Sequence, residues 1–446
     1  MSMSMSTRVV PRINIPLTRL LHNCEGRFFV HKNSLPTNNM IKGVEKMAKE
    51  KIVLAYSGGL DTSITIPWLK ENYDGEIIAV CVDVGQKEDW DAVEKKAIAS
   101  GASKFFCPHV ADEFAEDFIY PAISANAKYQ GTYLLGTALA RPLIAKKLVD
   151  IAHQENATAI CHGCTGKGND QVRFEMGIAA FDSEMKVIAP WREWEIKSRE
   201  DAIDYANKKG IQITSTKEKI YSEDENLMHI SHEGGDIESP ANAVNYADIL
   251  HITNALEQTP DEAEVVAITF EQGRATAVNG QAMKPSDVLK TLNEIAGKHG
   301  VGVLDWIEDR TIGMKSRGIY ETPGGTVLLD AHERLESLTL TKETIKLKKY
   351  IGLELAELIY NGQWYSQANL AIQALINKTQ EYVNGEVQLK LYKGNVLPHS
   401  LTSPNELFDA DVSGFGEDDL FDHHDAKGFI NVITLPTKIQ KRKGMI

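Results

Sequence analysis

Three features are scarce in this 446-residue chain: cysteine, long apolar runs and positive charge. The five cysteines are an odd number without the spacing of a disulfide framework, which indicates a reducing compartment. No apolar run approaches the ~20 residues that cross a bilayer, so we expect no membrane partner. A net charge of −14 argues against a nucleic-acid surface over the whole chain, so we expect no nucleic-acid partner.

The charge is distributed unevenly. Residues 1–50 carry a net charge of +5, and the rest of the chain carries −19. The first 40 or so residues contain Ser, Asn and Arg, have Glu25 as their only acid and show no helical or strand period. Because this composition is typical of an organelle transit peptide, we predict a leader over 1–46 and a mature protein in the plastid (chloroplast) stroma. The alternative is a disordered tail without an address, on a cytoplasmic protein.

Two pairs of side chains have spacings that could bind a metal. Cys161 and Cys164 have CxxC spacing, but no second cysteine pair completes a zinc site, so we interpret them as small buried thiols. His423 and His424 lie in the acidic stretch 408–425, which we interpret as a surface loop with exposed, unligated histidines.

The most informative stretch is residues 51–63, KIVLAYSGGLDTS. The apolar run at 52–55 predicts a buried strand, Gly58 and Gly59 predict a tight turn, and the following residues predict a helix. The start of a helix offers unpaired N–H groups and the positive end of the helix dipole. The sequence therefore predicts a phosphate site, surrounded by the hydroxyls of Ser57, Thr62 and Ser63.

This turn is not a Walker A loop, because no lysine follows its glycines. Instead Asp61 lies where phosphates would bind, and a carboxylate there needs a cation beside it. Asp61 is thus a candidate Mg²⁺ contact. The alternative is an ordinary strand-to-helix turn with an acidic first helical turn.

Strand and helix patterns alternate up to about residue 210 and then change. The alternation predicts an α/β fold with a doubly wound parallel-sheet nucleotide-binding domain over 47–211, and we expect the helix from about residue 137 to be interrupted or kinked near Pro142. An antiparallel hairpin over 262–278 and two amphipathic helices, about 342–360 and 366–383, then predict an α+β domain over 212–404. Glycine-rich segments follow to about residue 330, where the run GIYETPGG at 318–325 would by itself be a turn. We predict a C-terminal oligomerisation segment over 405–446.

A second glycine-rich turn, HGCTGKGNDQVRF, covers residues 162–174. Its short polar side chains and its charged residues would suit a zwitterionic ligand, with N–H and hydroxyl groups for a carboxylate and a carboxylate for an ammonium. The alternative is a glycine loop followed by a capped helix that starts at Asn169 or Asp170.

Residues 51–63 resemble the pyrophosphate loop of the enzymes that cleave ATP between its α and β phosphates. The further segments together resemble the argininosuccinate synthase family, in the order in which that family has them, from Lys51 to about Gln367. These segments are residues 133–142, 162–174, 188–192, 222–231, 307–310 and 313–323.

The resemblance implies a C–N ligase of arginine biosynthesis that uses ATP and Mg²⁺ and assembles as a homotetramer, with residues 212–404 as a synthetase and multimerisation domain. Its substrates would be citrulline, aspartate and ATP. Implied ATP contacts are Ala55, Tyr56, Ser57, Gly58, Gly59, Leu60, Asp61, Thr62, Ser63, Val82 and Gly163. Implied aspartate contacts are Thr165, Asn169 and Asp170. Implied citrulline contacts are Tyr133, Asn169, Arg173, Ser222, Ser231, Glu308 and Tyr320. The candidate catalytic residues are Asp61 and Asp170, the latter to orient or deprotonate the aspartate amine.

One position departs from the family pattern. Ala138 stands where some members have a serine that contacts citrulline, and the Thr137 hydroxyl or a water is the alternative for that contact. Two other functions compete with this one. One is a tRNA thiolase or another amide-type synthetase with the same loop, and a thiolase should carry a dedicated reactive cysteine and a basic face. The other is a nucleotide-binding regulator, which should form no AMP.

Overall fold

The computed structural model describes residues 49–166, 168–196, 198–211, 221–413 and 422–446. The leader predicted over 1–46 lies outside these residues. Residues 49–446 form one compact unit. No helix in the described ranges is both long enough and apolar enough to cross a membrane.

The first part of the chain forms a parallel sheet flanked by helices, which confirms the predicted fold class. The strands are β1 (Lys51–Ala55), β2 (Glu76–Val80), β3 (Lys104–Phe106), β4 (Ala159–Cys161) and β5 (Lys186–Ile188). The helices are α1 (Leu60–Tyr73), α2 (Trp90–Ala99), α3 (Ala111–Phe114), α4 (Tyr120–Ser124), α5 (Gly136–Glu155), α6 (Asp170–Phe181) and α7 (Arg199–Lys209), and a π-helical segment at Ala115–Ile119 joins α3 to α4.

The strand order β3-β2-β1-β4-β5 places the ligand crevice. The chain leaves β1 toward β2 on one side and returns to β4 on the other, so the order reverses at β1. In open α/β sheets, ligands bind beyond the carboxyl ends of the strands at this switch point. The central residues of β1 are fully buried because helices cover both faces of the sheet, which explains an apolar run without alternation.

The remainder is α+β, as predicted, and contains two antiparallel sheets. The second sheet has the order β10-β9-β8-β13-β14, and the third has the order β11-β12-β7-β6. The strands are β6 (Ser222–Glu225), β7 (Ile230–Glu233), β8 (Glu264–Glu271), β9 (Arg274–Val278), β10 (Gln281–Ala282), β11 (Val303–Asp309), β12 (Lys315–Glu321), β13 (Gly385–Tyr392) and β14 (Asn395–Thr402). The helices are α8 (Tyr246–Ile249), α9 (Pro285–Lys298), α10 (Pro323–Thr339), α11 (Lys342–Tyr360), α12 (Gln367–Gln380), α13 (Ala410–Ser413), α14 (His423–Ile433) and α15 (Leu435–Arg442). Short 3₁₀ helices lie at Pro190–Arg192, Gly235–Glu238 and Leu256–Gln258.

Two sequence-based expectations about local structure were wrong, and a third is narrowed. Helix α5 runs through Pro142 without interruption, so only the kink stays a prediction there. The run at 318–325, which by itself would be a turn, forms the end of β12 and the start of α10. Gly324 in this run marks close packing, since a Cβ there would lie 2.6 Å from Oδ1 of Asn293. In the acidic stretch predicted as a loop, α13 is helical and α14 begins at His423, while residues 414–421 lie outside the described ranges.

Candidate active site at the carboxyl edge of the parallel sheet

The residues predicted to bind ATP phosphates form a tight turn between β1 and α1. Gly58 has φ of +73°, a backbone conformation that favours glycine. The Ser57 N–H donates to Oγ1 of Thr62 at 3.3 Å, and the two hydroxyl oxygens lie 3.2 Å apart. Asp61 lies in the first turn of α1, whose N–H groups face the turn. The local geometry is therefore that of an anion site at a helix N-terminus.

A lysine from outside the turn reaches it. Lys96 of α2 donates from Nζ to the carbonyl oxygen of Gly58 at 2.5 Å. Partial burial lowers the pKa of Lys96. The turn thus has a cation beside it although its own sequence has none. Sequence reasoning missed Lys96 because it lies 38 residues after Gly58, within an ordinary amphipathic helix.

The other two predicted ATP contacts follow the strands on either side of β1. Val82 comes after β2, and Gly163 comes after β4. A Cβ at Gly163 would lie 3.2 Å from Cγ2 of Thr62, a tight contact, so a glycine at this position favours the close approach of the two loops. The structure brings the predicted ATP residues together at one edge of the sheet.

The loop predicted to bind aspartate is tied to the first turn of α6. Gln171 donates from Nε2 to the carbonyl oxygens of Gly166 and Gly168, at 2.7 and 3.2 Å. Thr165 is exposed, whereas Asn169 is buried. The Thr165 hydroxyl is therefore accessible to a ligand from the solvent side of this loop.

Asp170 lies between two arginines. Nε of Arg141 donates to its Oδ2 and Nη1 of Arg173 donates to its Oδ1, both at 2.9 Å. Burial alone would raise the pKa of Asp170, but the two guanidinium groups outweigh it and lower that pKa. Asp170 therefore stays ionised and is a weak base, which favours orienting an ammonium group over removing its proton.

Five of the seven predicted citrulline residues meet in a cluster centred on Glu308. The Tyr320 and Tyr360 hydroxyls donate to the two Glu308 carboxylate oxygens, at 2.9 and 2.6 Å. Nδ2 of Asn169 donates to the Tyr360 hydroxyl at 2.8 Å. The rings of Tyr133 and Tyr320 are 4.4 Å apart. The cluster thus joins the aspartate loop to β11, β12 and the end of α11.

Burial sets the charge of this cluster. It raises the pKa values of Tyr133, Tyr320 and Tyr360 far above the ordinary tyrosine value, and the nearby Glu308 carboxylate raises them further. These phenols therefore stay protonated and act as hydrogen-bond donors. Arg173 donates from Nε to the Tyr360 carbonyl oxygen at 2.9 Å and lies over the Tyr360 ring.

The two predicted serines lie on the third sheet. Ser231 of β7 pairs with Asp224 on one side and with Tyr320 on the other. Ser222 lies two residues before Asp224 on β6, so its side chain shares the same face, and Ser222 is exposed. The loop between β6 and β7 also reaches the parallel sheet, since the Leu227 N–H donates to the Val84 carbonyl oxygen at 2.9 Å. The third sheet thereby contacts the loop that follows β2.

Sequence reasoning missed a polar chain beside these serines. Oγ1 of Thr137 lies 2.9 Å from Oδ2 of Asp224 and 2.9 Å from Nε2 of His229, and Nη2 of Arg141 donates to the same Asp224 oxygen at 2.6 Å. Burial, with the positive charge of Arg141 adding to it, lowers the pKa of His229 to about 3. The Thr137 hydroxyl already has two partners, and Ala138 beside it is fully buried.

The CxxC cysteines are thiols, as predicted. Cys161 is buried and Cys164 is half-buried, and neither forms a disulfide. Burial raises the pKa of each thiol well above its usual value. Neither side chain therefore has the lowered pKa of a reactive cysteine.

Comparisons with known proteins agree on one family. The model of the arginosuccinate synthase N-terminal HUP domain matches residues 51–212, and the model of the arginosuccinate synthase C-terminal domain matches residues 221–440. The argininosuccinate synthase of Clostridium novyi (strain NT) is 57% identical over 391 residues, which are 88% of this chain and 97% of that protein. That of Carboxydothermus hydrogenoformans is 55% identical over 391 residues, with the same two coverages.

Among solved structures, a U34-tRNA thiolase, NcsA from Methanococcus maripaludis with its 4Fe–4S cluster, has a TM-score of 0.26 and 16% identity, over 39% of this chain and 61% of that chain. That similarity is too weak to support a conclusion. The two family models and the identities over most of the chain are decisive: this chain belongs to the argininosuccinate synthase family.

Proposed function

We propose that this chain ligates L-citrulline and L-aspartate to argininosuccinate in arginine biosynthesis, with ATP converted to AMP and diphosphate. One observation carries the proposal. The phosphate turn, the loop at 163–173 and the cluster around Glu308 meet at the carboxyl edge of one sheet, although they come from distant parts of the chain.

The phosphate turn would position ATP. The N–H groups of the first turn of α1 and the Ser57 and Thr62 hydroxyls would bind phosphate oxygens, and Lys96 would offset their charge. Asp61 is the carboxylate that fits Mg²⁺ here, because it lies in the same helical turn. When bound, Mg²⁺ would neutralise charge on the phosphates.

Citrulline would then be activated. Its ureido oxygen attacks the α-phosphorus of ATP, and the bond from that phosphorus to the oxygen bridging to the β-phosphate breaks. Diphosphate departs, and a citrullyl-adenylate remains. Glu308, Arg173 and the buried phenols would hold citrulline for this attack. Most of the catalytic effect would come from positioning and from fixed charges.

Aspartate would complete the ligation. Its amine attacks the activated ureido carbon, a C–N bond forms, AMP leaves and the nitrogen loses a proton. Two arginines hold the Asp170 carboxylate in place, which would suit binding of the aspartate ammonium group before this step. Thr165 and Asn169 would contact the substrate carboxylates.

Nucleotide product analysis tests the proposal. The protein lacking residues 1–46 is incubated with ATP, Mg²⁺, citrulline and aspartate, and each amino acid is omitted in turn. We expect AMP, diphosphate and argininosuccinate only when both amino acids are present. Glu308→Gln should lose this activity, whereas Glu257→Gln, at an exposed position, should keep it. ADP as the product, or no turnover with both amino acids, would contradict the proposal.

Self-association as a homotetramer belongs to the same proposal. The C-terminal helices α14 and α15 bury no side chain, and their large apolar residues are exposed. These residues are Phe429, Ile430, Val432, Ile433, Leu435 and Ile439. Such a surface suits packing against other copies of the chain. Light scattering should give a tetramer mass, and a chain ending at residue 421 should give a smaller one.

The location of the protein stays a prediction. Residues 1–46 precede both family matches. The relatives named above are bacterial, which favours the cytoplasmic alternative over the plastid. A fusion of residues 1–46 to a fluorescent protein distinguishes the two. Uptake into isolated plastids with shortening of the fusion supports a transit peptide, and failure of uptake supports the alternative.

A further inference from the structure

The reverse face of the third sheet carries a histidine–carboxylate cluster that the proposed ligation does not use. Side chains alternate between faces along a strand, so Glu223 and His232 point away from the face that carries Asp224, Ser231 and Tyr320. Glu223 and His232 are directly paired across β6 and β7.

A second histidine completes the cluster. Nε2 of His251 lies 2.7 Å from Oε1 of Glu223, and Nδ1 of His232 lies 3.8 Å from the same oxygen. These three atoms lie within 4.8 Å of one another, and within the described ranges no other group of three or more His, Cys, Asp or Glu side chains could hold a metal ion in this way.

Glu321 fixes the proton position on His232. This fully buried carboxylate accepts the N–H groups of His251, Ile252 and Thr253 at 2.7–2.9 Å, so it acts as an acceptor. Nε2 of His232 lies 2.8 Å from Oε1 of Glu321 and must therefore be the donor. In a neutral imidazole this leaves Nδ1 with a lone pair.

That lone pair points into the cluster. His232 is fully buried, and its Nδ1 has no hydrogen-bond partner. A lone pair and a carboxylate oxygen 3.8 Å apart repel each other unless a positive charge lies between them. A carboxylate that holds the far nitrogen of a histidine is also the usual arrangement behind a metal-binding imidazole, and here Glu321 supplies it.

We propose that Glu223, His232 and His251 bind one divalent transition-metal ion, with Zn²⁺ as the best fit. The donor set is two imidazole nitrogens and one carboxylate oxygen, with water as a fourth ligand. Ligand atoms around tetrahedral zinc are about 3.3 Å apart, as zinc–ligand bonds of about 2.0 Å require. The distances of 2.7 and 3.8 Å bracket this value, and the half-exposed His251 side chain can adjust.

The role of this metal is structural. It would join β6, β7 and the turn at 251–253 on the reverse face of the sheet, while Asp224, Ser231 and Tyr320 lie on the other face. His251 is 49% exposed and Glu223 is 22% exposed, so the ion has a path from solvent. Bound metal should therefore raise the unfolding temperature without touching the substrates.

Metal titration of the chelator-treated full chain tests this proposal. Zn²⁺ alone is titrated by calorimetry, and Co²⁺ is titrated in parallel to record the absorption of nitrogen-coordinated cobalt. We expect one ion per chain. His251→Asn and Glu223→Gln should each weaken binding at least about 10-fold. His399→Asn, at an exposed histidine on β14, is the matched control and should bind like the parent.

Three results would overturn the proposal. The first is equal affinity in the parent, His251→Asn and Glu223→Gln chains, and the second is no binding at all. The third is loss of the bound ion only in a His423→Asn/His424→Asn chain, which would place the metal at α14. His251→Asn keeps the backbone N–H that Glu321 accepts, and circular dichroism checks its folding. Argininosuccinate formation, measured separately, tests the proposed function independently.

Discussion

The phosphate turn and the Glu308 cluster show two ways of building a site. The turn takes most of its residues from thirteen consecutive positions, 51–63, and its geometry follows from a strand, two glycines and a helix start. The cluster takes Tyr133, Asn169, Glu308, Tyr320 and Tyr360 from five separate segments. The first depends on local backbone conformation, whereas the second depends on the packing of two domains.

The largest expected effect tests whether the turn depends on local backbone. Gly58→Ala places a residue with a Cβ at a left-handed backbone conformation, which is strained. The change should displace the loop, and ATP turnover should fall about 100-fold. Gly210→Ala is the matched control, since Gly210 has a similar φ of +69° and open space around it. Both variants should lose about 1 kcal/mol of unfolding free energy. Equal turnover in the two would show that the conformation of Gly58 is unimportant for ATP.

The next effect tests whether the cluster depends on packing. Tyr360→Phe removes the hydroxyl that joins Asn169 to Glu308 and leaves both with a lost hydrogen bond. We expect the KM for citrulline to rise about 10-fold or more, and the KM for ATP to stay unchanged. Tyr350→Phe, at an exposed position on the same helix, should change neither. A rise in the KM for ATP alone would contradict a citrulline role for this cluster.

A smaller effect concerns the lysine of α2 that reaches the phosphate turn. Lys96→Met removes the cation beside Gly58, so the KM for ATP should rise about 10-fold with little change for citrulline. Lys95→Met, on the exposed side of α2, provides the control. An equal KM for ATP in the two lysine variants would contradict a role for the Lys96 charge in ATP binding.

The smallest effect is a pH dependence of stability from the site. The pKa of His229 is about 3 in the folded protein and near 6.5 when unfolded, so the unfolded chain binds the proton more readily. Its contribution is complete above pH 6.5 and is lost as the pH falls toward 3, by about 1 kcal/mol at pH 5.5. Urea unfolding at pH 7.5 and 5.5 should show a smaller loss in His229→Gln than in the parent. An equal loss in the exposed His399→Gln control and in His229→Gln would contradict this assignment.

The comparison also explains which expectations failed. The run at 318–325 has three glycines and a proline, and composition alone favours a turn there. In the structure Gly324 allows α10 to approach α9, which only the packed neighbours reveal. Lys96, His229 and Tyr360 were missed for a similar reason, since each gains its partner from a distant segment.

The sequence by itself determined the α/β fold of the first domain, the phosphate turn and the family resemblance, because strand periodicity, glycine conformation and helix starts are set by neighbouring residues. Only the tertiary structure decided that two arginines hold Asp170 ionised and that Glu308 accepts hydrogen bonds from two buried phenols. It also decided that Glu223, His232 and His251 meet on the reverse face of the third sheet. The physical reason is that charge state and desolvation depend on which groups surround a side chain, and long-range packing sets those surroundings.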